Sequence, residues 1–266
     1  MADVVDEYFD RVLVHSDPKL IPFSDSFSAY DRIRDKITYT GFVTPKIPPR
    51  SSSFSEQSVV ISCGSGLTGD PDRFFEFCLD ALSCAPGVTH VTCLRGALSS
   101  DSDCKALCDL ITRKKYDCGK IKVMRHVSGG LVESGLFPYY TRISISMGGY
   151  NTTLESLQCG IPTILIPFHS EKDQEQLQRA KILEQHVNDP RSLCVLSSMD
   201  DRNRLRRAVS SILYSSVPVV SPKIHVQGAD VSARLILEYG KIVTSKRKSS
   251  QVLNYLFLKK KKTRTT

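Results

Sequence analysis

The segment of the chain best suited to chemistry combines two glycines with a carboxylate about two helical turns further on. It reads SMGGYNTTLESLQCGIPTILIPF and spans residues 146–168. The apolar run before Gly148 and Gly149 predicts a strand, and a helix is expected to start near Asn151. Glycines let a backbone approach a ligand closely, and the free N–H groups of a helix N-terminus suit a phosphate. Glu155 could then accept hydrogen bonds from two sugar hydroxyls.

The same spacing has a second interpretation that requires no ligand. Thr152 and Glu155 stand three residues apart, which is the spacing of a capping box at a helix N-terminus. A glycine pair after a strand is by itself weak evidence for a phosphate site. The spacing alone therefore leaves both interpretations open.

Two further segments place polar groups after predicted strands. Gly64, Ser65 and Gly66 follow the apolar run VVIS, and they form either a loop beside a phosphate or a tight strand–helix turn. No Gly-Lys-Ser/Thr follows them, which excludes a Walker loop. Glu175 and Gln176 open a predicted helix, where a carboxylate and an amide suit sugar hydroxyls. Acidic residues also favour the first turn of a helix without any ligand, because they complement its dipole.

Metal ligation is the less favoured interpretation of the acidic and cysteine clusters. Two Asp-x-Asp triplets, at residues 70–72 and 101–103, each precede a predicted helix and are interpreted as N-caps. The chain has nine cysteines, an odd number without Cys-x-x-Cys spacing, which favours a reducing cytosol. Cys104 and Cys108 share a helix face, but no second ligand pair has suitable spacing. We therefore expect no metal and no cofactor.

A regular alternation of apolar and amphipathic segments positions these residues. From about residue 58 to residue 213, predicted strands alternate with predicted helices across short turns rich in Gly and Pro. This pattern predicts an α/β fold, a Rossmann-like parallel sheet with helices on both faces. Ligands in such sheets bind beyond the carboxyl ends of the strands. The loops after Ile61, Met147 and Ile166 are therefore expected to hold the site.

Composition and charge narrow the class of protein further. The chain has 266 residues, of which 41% are hydrophobic, so it can form one or two domains with a sizeable core. Its net charge is +8, but nine basic residues and no acidic ones lie within residues 241–266. The remainder holds 27 of the 36 basic and all 28 acidic residues, which argues against a nucleic-acid-binding domain.

The two ends of the chain bear on location. The N-terminus is acidic and lacks a signal-peptide pattern, and no run of about 20 apolar residues occurs. We therefore expect a cytoplasmic protein. Residues 241–266 are predicted to be a basic disordered tail, and the alternative is peripheral contact of this tail with an anionic membrane surface.

The residues before position 58 predict fewer elements. Arg11–Pro18 and Ile37–Val43 are each expected to contain a strand, and the Pro- and Ser-rich stretch Pro45–Gln57 is typical of a linker. His15 is interpreted as a structural loop histidine. Two strands make a poor independent domain, so this part is interpreted as the end of a larger one.

The segments at residues 146–168 and 173–180 together resemble the C-terminal, donor-binding domain of family 28 glycosyltransferases. The glycine pair, Glu155, the Gly-x-Pro that follows and the Gln-x-x-x-Ala ending carry the resemblance. RVLVHSDPKLIPF and YTGFV resemble a group of predicted bacterial-type glycosyltransferases, and the resemblance covers roughly residues 8–214.

The resemblance implies a GT-B fold, in which two Rossmann-like domains face each other across a cleft. Residues 1–50 would be a remnant of the N-terminal domain with its linker. Residues 51–240 would be the nucleotide-sugar-binding domain, and residues 241–266 the tail.

The resemblance also implies a set of residues that bind the donor. Those matching positions at the diphosphate are Gly64, Ser65, Gly66, Gly148, Gly149, Asn151 and Thr152. Those matching positions at the ribose, the base and the donor sugar are Glu155, His126, Val127, Glu175 and Gln176. Glu175 replaces a glutamine that is frequent in the family, and the loop between Pro167 and Asp173 is one residue longer.

The implied reaction is transfer of a hexosyl or N-acetylhexosaminyl group from a nucleotide sugar, a UDP-sugar by family, to an acceptor. Backbone N–H groups and helix dipoles would stabilise the leaving nucleoside diphosphate, so no metal is required. The family places its general base and acceptor site in the N-terminal domain, so either a partner subunit supplies the acceptor half or the sequence is that of a truncated gene product. Two alternatives stay open, a non-catalytic nucleotide-sugar-binding subunit and a sugar-nucleotide epimerase.

Overall fold

The computed structural model describes residues 2–47, 58–66, 69–170, 174–215 and 224–241. The chain divides into two compact units. Unit 1 comprises Met1–Asp17, Ala29–Val43 and His225–Thr266, and unit 2 comprises Pro18–Ser28 and Thr44–Ile224. The domain boundaries expected at residues 50 and 240 stay a prediction.

A six-stranded sheet forms the centre of unit 2. Across the sheet the strands are β5 (Ile121–Met124), β4 (His90–Leu94), β3 (Ser58–Ser62), β6 (Ile143–Ser146), β7 (Thr163–Leu165) and β8 (Leu193–Val195). Every neighbouring pair is parallel, and Ile61 of β3 pairs with Cys93 on one side and Ile145 on the other. The predicted α/β fold with a parallel sheet is therefore confirmed.

Helices cover both faces of this sheet. They are α3 (Pro71–Ser83), α4 (Asp101–Arg113), α5 (Gly130–Glu133), α6 (Tyr150–Gln158), α7 (Glu175–Val187) and α8 (Arg202–Leu213), with a π-helical turn over Leu136–Tyr140. Successive residues of a strand point to opposite faces, and β3 follows this rule. Ile61 packs in a cluster with Phe74 of α3, whereas Val60 packs with Phe137 on the other face. Burial on both faces explains why the strands are apolar throughout.

Local signals explain where the best-predicted elements begin and end. Helix α3 has Pro71 at its first position, and its N-cap Asp70 accepts a hydrogen bond from Arg73 N at 3.0 Å. The apolar patterns predict a strand over His90–Leu94 and a helix over Arg202–Leu213, and strand β4 and helix α8 have these bounds. The pattern predicts the next helix from Lys105 to Lys114, but α4 begins at Asp101, because its N-cap is Ser100.

Unit 1 contains the two predicted N-terminal strands as a parallel pair, β1 (Val12–Val14) and β2 (Ile37–Tyr39). It also contains helices α1 (Ala2–Tyr8) and α2 (Tyr30–Ile33) and a helix over residues 228–241. A bridge joins Val43 to Gln227, and the buried Phe42 donates its N–H to His225 O at 2.7 Å.

Two expectations concern residues at the limits of the described ranges. Most of the predicted linker, residues 48–57, and the basic tail beyond Lys241 lie outside the described residues. Among the helices that are described, none combines the length and the apolar character needed to cross a bilayer.

His15 lies in unit 1, with Nδ1 2.8 Å from Thr40 Oγ1.

Candidate functional site

A cavity of about 520 Å³ opens at the carboxyl edge of the six-stranded sheet. From β3 the chain first adds β4 and β5 on one side and then returns to place β6 on the other. Ligands of open α/β sheets bind at this switch point. The lining residues are Ser62, Gly64, Ser65, Leu94, Gly96, Ala97, Arg125, His126, Val127, Gly130, Leu131, Gly149, Tyr150, Asn151, Thr152 and Glu155.

The turn between β6 and α6 lines this cavity with Gly149 and the first residues of the helix. Gly148 has a φ of +78°, which favours glycine, and Gly149 is the N-cap of α6. Gly149 provides no side chain to cap the helix, so the first-turn N–H groups receive no side-chain cap from it. A Cβ at Gly149 would meet no atom of the described residues within 4 Å. The turn therefore combines open space with the positive end of a helix dipole, which suits an anion.

Glu155 is a cavity residue and not a helix cap. Helix α6 begins at Tyr150, so Thr152 is its third residue, and the capping-box interpretation of Thr152 and Glu155 is wrong. Within the described part of the chain, the half-buried carboxylate of Glu155 forms no hydrogen bond or ion pair. Burial, and secondly repulsion from the carboxylate of Glu133, raise the pKa of Glu155 to about 7. A desolvated carboxylate beside a cavity gains free energy from any ligand that donates hydrogen bonds to it.

The loop after β3 contributes to the cavity through only part of its glycine motif. Gly64 and Ser65 line the cavity, and a Cβ at Gly64 would meet nothing within 4 Å. Gly66 instead packs against the loop after β4, where a Cβ would lie 2.6 Å from Arg95 O. The interpretation as a tight turn therefore fits Gly66, whereas Gly64 and Ser65 remain available to a ligand.

The loop after β5 forms another wall of the cavity. His126 is exposed and Val127 is partly buried, and both line the cavity as the resemblance implies. The neighbouring Arg125 also lines it and pairs with Asp101 at 3.5 Å. Sequence reasoning missed Arg125, and its position directly beyond an apolar strand was the available signal.

Glu175 and Gln176 begin α7 and lie outside the lining of this cavity. Glu175 Oε1 accepts a hydrogen bond from Arg179 Nη1 at 2.7 Å. The side-chain oxygen of Gln176 is buried and has no hydrogen-bond partner among the described residues. The structure thus brings together most of the predicted site residues, but not Gly66, Gly148, Glu175 and Gln176.

Arg179 connects α7 to the glycine turn, and sequence reasoning missed it. Its Nη2 donates to Gly148 O at 3.3 Å, and its guanidinium lies 5.9 Å from the ring centroid of Tyr150. The side chain is only 14% exposed. The polar stretch around it, QLQRAK, is typical of a solvated helix face, so the sequence carried no clear signal.

The acidic triplets act at helix N-termini. Asp70 caps α3 as predicted. The second triplet is only partly as predicted, because Ser100 caps α4 and Asp103 Oδ2 accepts a hydrogen bond from the backbone N–H of Ser100 at 2.7 Å. The described residues contain no group of three or more His, Cys, Asp or Glu side chains that could hold a metal ion.

An open parallel sheet with a glycine turn, a helix N-terminus and a carboxylate at its switch point is the architecture of a nucleotide-binding unit. Residues 140–211 match the model of the glycosyltransferase family 28 C-terminal domain. The matched segment contains the glycine turn, Glu155 and all of α7. The match confirms the resemblance to family 28 for this segment and supports a role in glycosyl transfer.

Solved glycosyltransferase structures share the fold. MurG of Acinetobacter baumannii has 14% identity and a TM-score of 0.51, over 87% of this chain and 62% of that chain. Os79 of O. sativa, solved with UDP and deoxynivalenol-3-glucoside, has 18% identity and a TM-score of 0.51, over 78% of this chain and 46% of that chain. These similarities confirm the expected Rossmann-like α/β fold, which the chain shares with part of these GT-B glycosyltransferases.

The chain therefore spans less than two thirds of the length of either solved structure. No curated protein matches the chain.

Proposed function

We propose that unit 2 binds a UDP-sugar in the cavity at its switch point and serves as the donor-binding half of a glycosyltransferase. The enzyme would transfer a hexosyl or N-acetylhexosaminyl group to an acceptor without a metal. The observation that carries the proposal is the desolvated carboxylate of Glu155, which has no partner among the described residues, beside the N-terminus of α6, to which Gly149 gives no side-chain cap. The carboxylate suits a ribose diol, and the helix N-terminus suits a diphosphate.

The diphosphate is proposed to lie at the two glycine turns. The N–H groups at the start of α6 and the backbone of Gly64 and Ser65 would face its oxygens. During transfer an acceptor oxygen attacks the anomeric carbon, and the bond from that carbon to the diphosphate oxygen breaks. The electron pair leaves with the nucleoside diphosphate, whose growing negative charge is stabilised by fixed N–H dipoles. The acceptor's proton goes to a base, which we assign to the acceptor half.

The nucleoside is proposed to occupy the rest of the cavity. Glu155 would accept hydrogen bonds from both ribose hydroxyls, which would offset the cost of its own desolvation. His126 and Val127 would lie against the base. The choice of UDP is supported by Os79, whose structure contains UDP.

A partner polypeptide is proposed to supply the acceptor half and the general base. The proposal rests on the resemblance to family 28, which places the general base and the acceptor site outside the donor-binding domain. This proposal is tested by adding candidate partner chains to the purified protein and measuring sugar transfer.

Nucleotide binding is tested by thermal shift with UDP, UDP-N-acetylglucosamine, UDP-glucose, GDP-mannose and ADP. A ligand at 100 times its dissociation constant should stabilise the protein by about 2.7 kcal/mol. We expect the uracil nucleotides to stabilise the wild type and Glu155→Ala to remove most of this effect. Glu133→Ala is the matched control, because it deletes the nearby exposed carboxylate that does not line the cavity.

Three outcomes would redirect the proposal. If no nucleotide stabilises a wild type that melts cooperatively, donor binding is wrong. Binding without sugar transfer in the presence of any partner would indicate a non-catalytic binding subunit. Interconversion of nucleotide sugars without an acceptor would indicate an epimerase.

A further inference from the structure

We propose that Arg179 is a positioning residue that fixes the peptide between Gly148 and Gly149, so that the Gly149 N–H faces the donor diphosphate. The inference rests on the proposed function, since it assumes that a nucleoside diphosphate occupies the cavity. It assigns a role to a side chain that lies outside the cavity lining.

The contacts of Arg179 converge on the glycine turn. Its Nη1 donates to Glu175 Oε1 at 2.7 Å and its Nη2 donates to Gly148 O at 3.3 Å. Its guanidinium also lies 5.9 Å from the ring centroid of Tyr150, the first residue of α6. With 14% of the side chain exposed, the guanidinium is held in place from several sides.

The planar geometry of the peptide bond means that the hydrogen bond to Gly148 O determines the direction of the Gly149 N–H. In a planar trans peptide, the C=O of one residue and the N–H of the next point in opposite directions. Because Gly148 O is held toward Arg179, the Gly149 N–H points away from Arg179. Gly149 lines the cavity and Gly148 does not, so this orientation is the one that offers the N–H to a ligand.

The turn needs such a constraint because its own residues supply little. Gly148 and Gly149 have no side chains, and glycine tolerates both orientations of the intervening peptide. The next peptide is fixed, since Gly149 O accepts from Thr153 N at 3.0 Å. Among the described residues, Arg179 is the donor to Gly148 O, so this hydrogen bond determines which way the peptide faces.

Attraction between the positive charge of Arg179 and the diphosphate explains the role of this residue less well. The positive charge of Arg179 is already paired with the carboxylate of Glu175. The pair is close to neutral, so its long-range attraction for a diphosphate is small compared with a correctly directed N–H in a cavity. The expected role is therefore orientation, with Glu175 holding the guanidinium from the opposite side.

The test compares Arg179→Met, which keeps the aliphatic stem but loses the donors, with Arg179→Lys, which keeps one donor group. Affinities for UDP and for uridine are measured by NMR titration of the full chain, and urea unfolding confirms that each variant folds. We expect Arg179→Met to weaken UDP binding at least tenfold and to leave uridine binding within twofold. Arg179→Lys should recover most of the UDP affinity.

The amide signal of Gly149 gives a direct readout of the peptide orientation. In wild-type protein labelled with ¹⁵N-glycine, UDP should shift this signal downfield, and the shift should vanish in Arg179→Met. Gly149→Ala identifies the signal by removing it.

The results separate this inference from the proposed function. If the wild type binds UDP and Arg179→Met binds it equally well, the positioning role is wrong and the proposed function stands. Equal weakening of UDP and uridine would show a general structural role and would also reject the inference. A wild type that binds no UDP would overturn both.

Discussion

The turn after β3 and the turn after β6 both bring glycines to the rim of the cavity, but their surroundings differ. At the first turn, the backbone of Gly66 packs against that of Gly96 in the loop after β4. A Cβ at Gly96 would lie closer than 3.0 Å to atoms of Ser65 and Gly66. In the second, a Cβ at Gly149 would meet nothing within 4 Å.

This difference shows that a glycine motif has two physical meanings. Gly66 and Gly96 allow the backbones of two loops to pack closely, and a side chain at either position would force these backbones apart. Gly149 leaves space that no atom of the described residues fills. Stability measurements should therefore report on the first turn, and ligand affinity should report on the second.

The largest expected effect is that of Gly96→Ala. Its φ of +108° disfavours alanine, and the new methyl group would collide with the Ser65–Gly66 backbone. We expect a loss of about 3 kcal/mol or more in the free energy of unfolding in urea. Gly64→Ala is the matched control, because it has a φ of +70° and open surroundings, and it should cost only about 1 kcal/mol. Similar losses in both variants would contradict the distinction.

Gly149→Ala tests the open turn. Its backbone, with φ −57° and ψ 141°, accepts alanine without strain, so the free energy of unfolding should change by less than about 1 kcal/mol. The methyl group would project into space that the proposed diphosphate needs. UDP affinity, measured by calorimetric titration, should fall about tenfold or more. Unchanged affinity would mean that the open space is not a ligand site.

The pH dependence of ligand affinity tests the role of Glu155 in the cavity. The ionised form of Glu155 accepts hydrogen bonds from ribose hydroxyls, and its pKa is raised to about 7. The affinity for UDP-glucose, whose diphosphate does not titrate in this range, should therefore fall about tenfold as the pH drops from 8 to 6. Glu155→Gln should flatten the profile, provided that His126→Gln is present in both proteins to remove the second titratable group. A wild-type profile that is already flat would exclude Glu155 from binding.

The same ionisation affects stability in the opposite direction. Because the folded pKa of Glu155 lies above its unfolded value, the native state holds this proton more tightly. Its contribution to stability is present at low pH and is lost as the pH rises from about 4.5 to about 7. We expect about 1 kcal/mol in urea titrations, since water partly shields the group, and Glu155→Gln should remove the dependence.

The smallest expected effect concerns the turn after β3, where Gly66 packs closely against the loop after β4. The buried Ser99 Oγ donates to Arg95 O at 2.8 Å, next to Gly66. Ser99→Ala should cost about 0.5–1 kcal/mol in urea unfolding and leave UDP affinity unchanged. A clear fall in affinity would mean that the two turns are coupled and that the comparison is too simple.

The sequence predicted what depends on local periodicity and composition. Strand β4 and helix α8 have the predicted bounds, because apolar alternation and an acidic N-cap mark them within a few residues. The parallel sheet followed from the repeated alternation of strands and helices. The cavity followed from the rule that ligands bind at the carboxyl edge of such a sheet.

The sequence did not predict features that depend on residues distant in the chain. The close approach of Gly66 to Gly96 joins two loops that are separated by a complete helix and strand. Arg179 belongs to a polar stretch whose contact with Gly148 forms only when α7 packs beside the turn. The capping-box interpretation of Glu155 failed because the N-cap of α6 is Gly149, three residues before Thr152.

The bridge between Val43 and Gln227 has a consequence for biosynthesis. Unit 1 is assembled from three separate stretches of chain, and its last stretch begins only at His225. A ribosome must therefore translate the whole of residues 44–224 before β1, β2 and the helix over 228–241 can come together. Unit 2 can fold as it emerges, whereas unit 1 is complete only after the stretch that begins at His225 has been synthesised.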